Sequence, residues 1–149
     1  MDYQIDLDPT NSVIRLSVTA EIVTLELAED IYIRLARITS RGGPYAAIFD
    51  LSGVRRSTIP ADAIRSFALR APAVPEGRTR VEVAKEPSVY GLARMFQLYR
   101  DSMGGQFQVV HTLEEAYGVV GVRPEDFTEC LIRPCEWVSR QSPILPGQP

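Results

Sequence analysis

The chain predicts an α/β fold built on a mixed, mostly parallel sheet, and three observations carry that reading. Tyr3-Gln-Ile-Asp-Leu7 and Val13-Ile-Arg-Leu-Ser-Val18 alternate apolar and polar residues with the period of two that suits half-buried strands. From Thr24 onward, helical apolar stripes alternate with short strand-like runs. Tyr45 to Leu51 is apolar on both alternating sets, as expected of a central strand covered on both faces.

The two alternating runs, separated by the turn signal Asp8-Pro-Thr-Asn11, read as an N-terminal antiparallel hairpin. A first helix follows, with Ala28, Ile31, Leu35 and Ile38 on one face, acids early, Arg37 and Arg41 late, and Gly42-Gly43-Pro44 as the stop. After the central strand and a loop over Ser52 to Ile59, Pro60 suits a first helical position. Ile64, Phe67, Ala68 and Ala71 then mark an apolar face that Pro72 and Pro75 end. Thr79 to Ala84 alternates around Val81 and Val83 and reads as a strand. The third helix carries Val89, Leu92, Phe96, Tyr99 and Met103 at steps of three and four, and Gly104-Gly105 stops it. Phe107 to His111 is a last strand, and Thr112-Leu-Glu-Glu115 is a capping box that opens a fourth helix to about Val120. Successive β-α-β steps require parallel pairing through right-handed crossovers, which leaves the hairpin as one antiparallel edge.

Residues 1–122 make one domain, and 123–149 form an extension punctuated by Pro124, Pro134, Pro143, Pro146 and Pro149. A short helix near Glu125 to Leu131 is expected in the extension, and the composition predicts disorder from about 139. The net charge is −3, from 16 basic and 19 acidic residues that are interspersed, so no cationic excess points to nucleic acid. No run reaches the ~18 apolar residues of a membrane span, and Met1-Asp-Tyr-Gln-Ile-Asp6 lacks the basic and then apolar parts of a signal peptide. A cytoplasmic protein is the expectation. Cys130 and Cys135 are the only cysteines and His111 the only histidine, too few and too scattered for a zinc site. A reducing compartment argues against a disulfide, and neither a metal nor a cofactor is expected.

The strand exit Phe49-Asp-Leu-Ser-Gly-Val54, the element order and the helix start Thr112-Leu-Glu-Glu-Ala116 together resemble the STAS superfamily of bacterial anti-sigma-factor antagonist domains, in particular its SpoIIAA-like branch. The resemblance covers Tyr3 to Val120. It implies a SpoIIAA-like mixed sheet with helices packed on it, and a non-catalytic regulatory role in which the loop after the central strand docks a protein partner, an anti-sigma-type kinase in many members. In this chain that loop offers Asp50, Ser52, Arg55, Arg56, Ser57 and Thr58 as partner-binding residues. Many members phosphorylate the serine of an Asp-Ser pair at the next helix start. That pair would fall near Thr58-Ile59 here, and neither residue matches it. Ser57 and Thr58 are the nearby phosphoacceptor candidates, where a phosphate would meet helix amides. The ordinary role of either is to cap the helix.

Other residues support competing chemistries. His111 at a strand end has no identifiable partner, and the chain contains no Gly-x-Ser-x-Gly elbow. A lone strand-end carboxylate such as Asp50 ordinarily receives loop amides. Arg55 and Arg56, with Arg65 and Arg70 beyond them, could meet an acidic partner or simply be solvated. The third helix has more large apolar groups than one stripe requires, Tyr90 and Met95 lying at its margin. These suggest either a homodimer or partner patch, or a carrier of a small apolar ligand in a pocket lined by Phe67, Leu92, Phe96 and Tyr99. A docking module predicts an exposed loop over 55–58 with no cavity beneath it. A carrier predicts a sizeable cavity at the four pocket residues. An enzyme predicts His111 within hydrogen-bond reach of Asp50, Ser52 or another acid.

Overall fold

The computed structural model describes residues 2–40, 42, 44–75, 78–101 and 106–129. The two alternating runs form β1 (Tyr3–Asp8) and β2 (Val13–Val18), paired antiparallel from Tyr3 with Val18 to Asp8 with Val13. Their turn is held by the buried Asp8 carboxylate, which accepts the Asn11 amide N–H at 3.0 Å and its Nδ2 at 2.7 Å. After β3 (Ile22–Val23), the Thr24 hydroxyl caps α1 (Leu25–Thr39) by accepting the Leu27 N–H, and the stripe buries Leu35 and Ile38.

The chain continues through β4 (Ala46–Asp50), β5 (Arg56–Ser57), α2 (Ala61–Leu69), β6 (Arg80–Val83), α3 (Pro87–Asp101), β7 (Phe107–Val110) and α4 (Leu113–Val120). A 3-10 turn (Pro124–Asp126) and β8 (Thr128–Glu129) follow. The main sheet has the order β7-β6-β4-β2-β1-β8, with β2, β4, β6 and β7 parallel. The α/β class, the mixed and mostly parallel sheet and the antiparallel N-terminal pair are therefore as the sequence predicts.

Helices α1, α2 and α3 cover one face and α4 the other. On the first face Leu16, Leu35, Ile38, Val89 and Ala93 share a core. On the second, Val13, Ile48, Val81, Val83 and Val110 pack with Ala116 and Tyr117 of α4. A polar cluster borders that second core: Arg15 bonds the buried Asp6 carboxylate at 2.8 Å and the Tyr117 hydroxyl at 2.6 Å, and its guanidinium lies 4.4 Å from the Phe127 ring centre.

Five expectations change. The hairpin is not a free edge, because β8 pairs with β1 outside it. The helix expected near 125–131 is, among the described residues, one 3-10 turn followed by this strand, both too short to carry a periodic signal. Pro60 stands one place earlier than expected, as the N-cap of α2, and α2 ends at Leu69, before Ala71. The loop over 52–59 contains β5, which pairs in parallel with β3 in a separate two-stranded sheet. Thr112 caps α4 by accepting the Glu115 N–H, while the Glu115 carboxylate accepts from the Thr112 hydroxyl, a variant of the capping box. Cys130, Cys135, Trp137 and the tail from 139 lie outside the described residues, as do Met103 and the Gly104-Gly105 stop. No helix among the described residues is long and apolar enough to cross a membrane.

Candidate functional site: an apolar cavity under the strand-exit loop

Parallel pairing brings the carboxyl ends of β2, β4, β6 and β7 to one rim. At the exit of β4 the chain turns at once. The Val54 N–H donates to the Leu51 carbonyl at 3.0 Å, and the Ser52 N–H donates to the Asp50 carboxylate at 3.0 Å. Asp50 thus receives a loop amide. An added Cβ on Gly53 would meet only the Val18 carbonyl oxygen at 3.8 Å, an ordinary contact, so close approach does not demand glycine there.

Beyond the turn the segment is stitched to residues 21–23. Arg55 and Arg56 N–H donate to the Glu21 carbonyl at 2.8 and 3.2 Å, and Thr58 N–H donates to the Val23 carbonyl at 3.0 Å. This pinning gives the segment two sides. Val54 is buried, and Val54, Ser57 and Ile59 face inward, whereas Arg55, Arg56 and Thr58 are exposed. The Ser57 hydroxyl accepts the Ile59 N–H at 3.2 Å and the Thr58 hydroxyl reaches the Val23 carbonyl at 3.5 Å. Neither caps α2, whose N-cap has no side-chain bond. The capping role expected for them is replaced by a local turn and a tie to β3.

Beneath the inward side lies a partly open cavity of about 250 Å³ between the sheet and α1, α2 and α3. Ala28, Ile31, Tyr32 and Leu35 line it from α1, Ile64 and Phe67 from α2, and Val89, Leu92, Ala93 and Phe96 from α3. Leu16, Phe49 and Phe107 form its floor. Three of the four expected pocket residues, Phe67, Leu92 and Phe96, are in the lining, and Tyr99 is not. Rings hold part of the wall in place: Phe96 packs on Phe107 at 5.2 Å and Tyr32 meets Phe67 edge-on at 6.3 Å. Arg70, expected to be available beyond the loop, forms a two-pronged bond to Glu29 at 2.9 and 2.7 Å and stacks on Phe67. That bond joins α2 to α1, and it holds the Glu29 carboxyl below the usual carboxylate range.

Three charged side chains also line the cavity: Arg80, Glu82 and Arg100. Arg80 and Glu82 alternate with Val81 and Val83 along β6, and the two valines face α4. Glu82 sits in a cross-strand row between Phe49 and Val109. Burial raises its carboxyl to about 7. Arg100 is buried on α3 and donates to the Ala68 and Arg70 carbonyls at 2.8 and 3.0 Å, satisfying the end of α2.

Sequence reasoning missed these three, though a signal existed for Arg80 and Glu82 on β6. A parallel strand between two β-α-β crossovers is covered on both faces, so the polar residues of an alternating run there face the interior.

His111 is exposed and stacks on Tyr90 with ring centres 4.2 Å apart. It hydrogen-bonds to no acid or hydroxyl among the described residues. Ser52 and Arg55 instead border a polar groove with Glu21, Lys85 and Glu86, in which Arg55 approaches Glu21 at 3.7 Å. Among the described residues no group of three His, Cys, Asp or Glu side chains could hold a metal ion. No family model, curated protein or solved structure matches this chain.

Proposed function

We propose that this protein is a non-catalytic binding module for a small, mainly apolar molecule held between α1–α3 and the sheet. The observation that carries the reading is the cavity of about 250 Å³ with its predominantly aliphatic and aromatic walls. Apolar cavities of ~150 Å³ already admit benzene, while pockets for drug-sized ligands begin near ~300 Å³. The volume therefore suits a single ring or a short chain. The test is native mass spectrometry of the protein purified from its own host, beside the variant Ala93→Phe, which fills the space from α3. Wild-type protein carrying a small added mass that the variant lacks is the expected result. Bare polypeptide mass for both would overturn the reading.

A second reading, partner docking in the STAS-like manner, is favoured by one observation: the segment that roofs the cavity exposes Arg55, Arg56 and Thr58 outward. The two readings join in a sensor, in which an occupant touching Val54, Ser57 and Ile59 changes how the outer side is presented. The cavity beneath this loop argues against docking alone. A cytoplasmic location and a kinase as partner belong to this second reading.

A further inference from the structure

The carboxyl group of Glu82 is the part of the cavity wall that a purely apolar occupant leaves unexplained. It lies in the middle of β6, flanked across the sheet by Phe49 on β4 and Val109 on β7, and makes no hydrogen bond or ion pair with the described residues. Glu82 is half-buried and faces the partly open cavity, and a carboxyl in apolar surroundings without a protein partner is costly unless water or a bound molecule satisfies it.

Its surroundings limit what that something is. Arg80 lies two residues away on the same strand and face, Arg100 comes from α3 with Nη1 bonded to α2 carbonyls, and Tyr32 lines the cavity from α1. The α2 lining, Ile64 and Phe67, carries no charge. Desolvation lifts the carboxyl to about 7, which leaves it protonated for part of the time at neutral pH. A carboxylic acid kept neutral in an apolar site is a hydrogen-bond donor. Two guanidiniums in the same walls favour the negative end of a dipole and disfavour a cation. A carboxylate ligand would have to give up its hydration and share the single proton of Glu82.

We propose that the occupant is a small uncharged molecule with an apolar body and one hydrogen-bond acceptor of the ketone, ester or amide type, which receives the O–H of Glu82. This inference rests on the ligand-binding reading above.

Isothermal titration of the full chain at pH 6 and pH 8 with four probes, 2-heptanone, heptylamine, heptanoate and benzene, tests it. The ketone should bind most tightly, and its affinity should fall about tenfold from pH 6 to pH 8 as the carboxyl at about 7 loses its proton. Glu82→Gln, which still donates an N–H, should keep ketone binding and lose the pH dependence. Glu82→Leu should reduce the ketone to the level of benzene. Preference for the amine or the acid, or ketone binding by wild type that does not change with pH, would overturn the head-group assignment while benzene binding left the cavity reading standing. Failure of all four probes, benzene included, would remove both.

Discussion

Glu82 is the residue at which the stability of the fold and the proposed ligand site pull in opposite directions. Its folded-state carboxyl is raised to about 7 from an ordinary value of 4.5, so the folded chain holds a proton that the unfolded chain has released. Stability therefore falls as pH rises above the unfolded value and levels off above the folded one, by at most about 3 kcal/mol. Glu82→Gln has no such proton to lose. In thermal unfolding it should match wild type near pH 4 and exceed it at pH 8, and equal differences at the two pH values would contradict the burial of this group. Asp6 is buried beside a cation: Arg15 bonds it at 2.8 Å while also touching Tyr117 and Phe127. Asp6→Ala strands that guanidinium and should cost on the order of 3 kcal/mol in denaturant unfolding. A change below ~1 kcal/mol would mean that Arg15 reaches water instead.

At the scale of elements, caps and stripes decide where helices stand. Thr112 holds α4 over the second core through its bond from the Glu115 N–H at 3.1 Å. Thr112→Ala should lower stability by about 1 kcal/mol, measurable by urea titration, while leaving the cavity on the opposite face unaltered. The longer elements were legible because each repeats its period several times: α1 and α3 run for 15 residues each, and of the α3 stripe Val89 is fully buried while Leu92, Phe96 and Tyr99 are half-buried. Elements of two residues, β3, β5 and β8, were not legible, because so short a run has no period and their pairing depends on tertiary register. That is why the segment over 52–59 reads as a free loop in the sequence but is pinned to residues 21–23 in the fold. The α3 stripe also conceals two roles. Val89 and Ala93 are buried in the core where they meet the cavity, whereas Leu92 and Phe96 are only half-buried along its wall.

For the whole molecule, topology predicts where a site lies better than composition predicts what it does. The β-α-β order fixed the parallel strands and the shared rim, and the large apolar excess on the third helix pointed to a pocket at Phe67, Leu92, Phe96 and Tyr99, of which all but Tyr99 line the cavity. The charged floor was hidden, since Arg80 and Glu82 look like the solvated side of an alternating strand until the crossovers cover both faces. The same three helices that hide this floor leave the space above it, where a small apolar molecule would sit.

Methyl-group NMR of the full chain titrated with benzene tests that occupancy most directly. Saturable shifts confined to lining methyls such as Leu16, Leu35, Ile64 and Leu92 are expected, as is their absence in Ala93→Phe. Shifts that are missing, or that fall on exposed methyls such as Ile33 and Leu98, would contradict it.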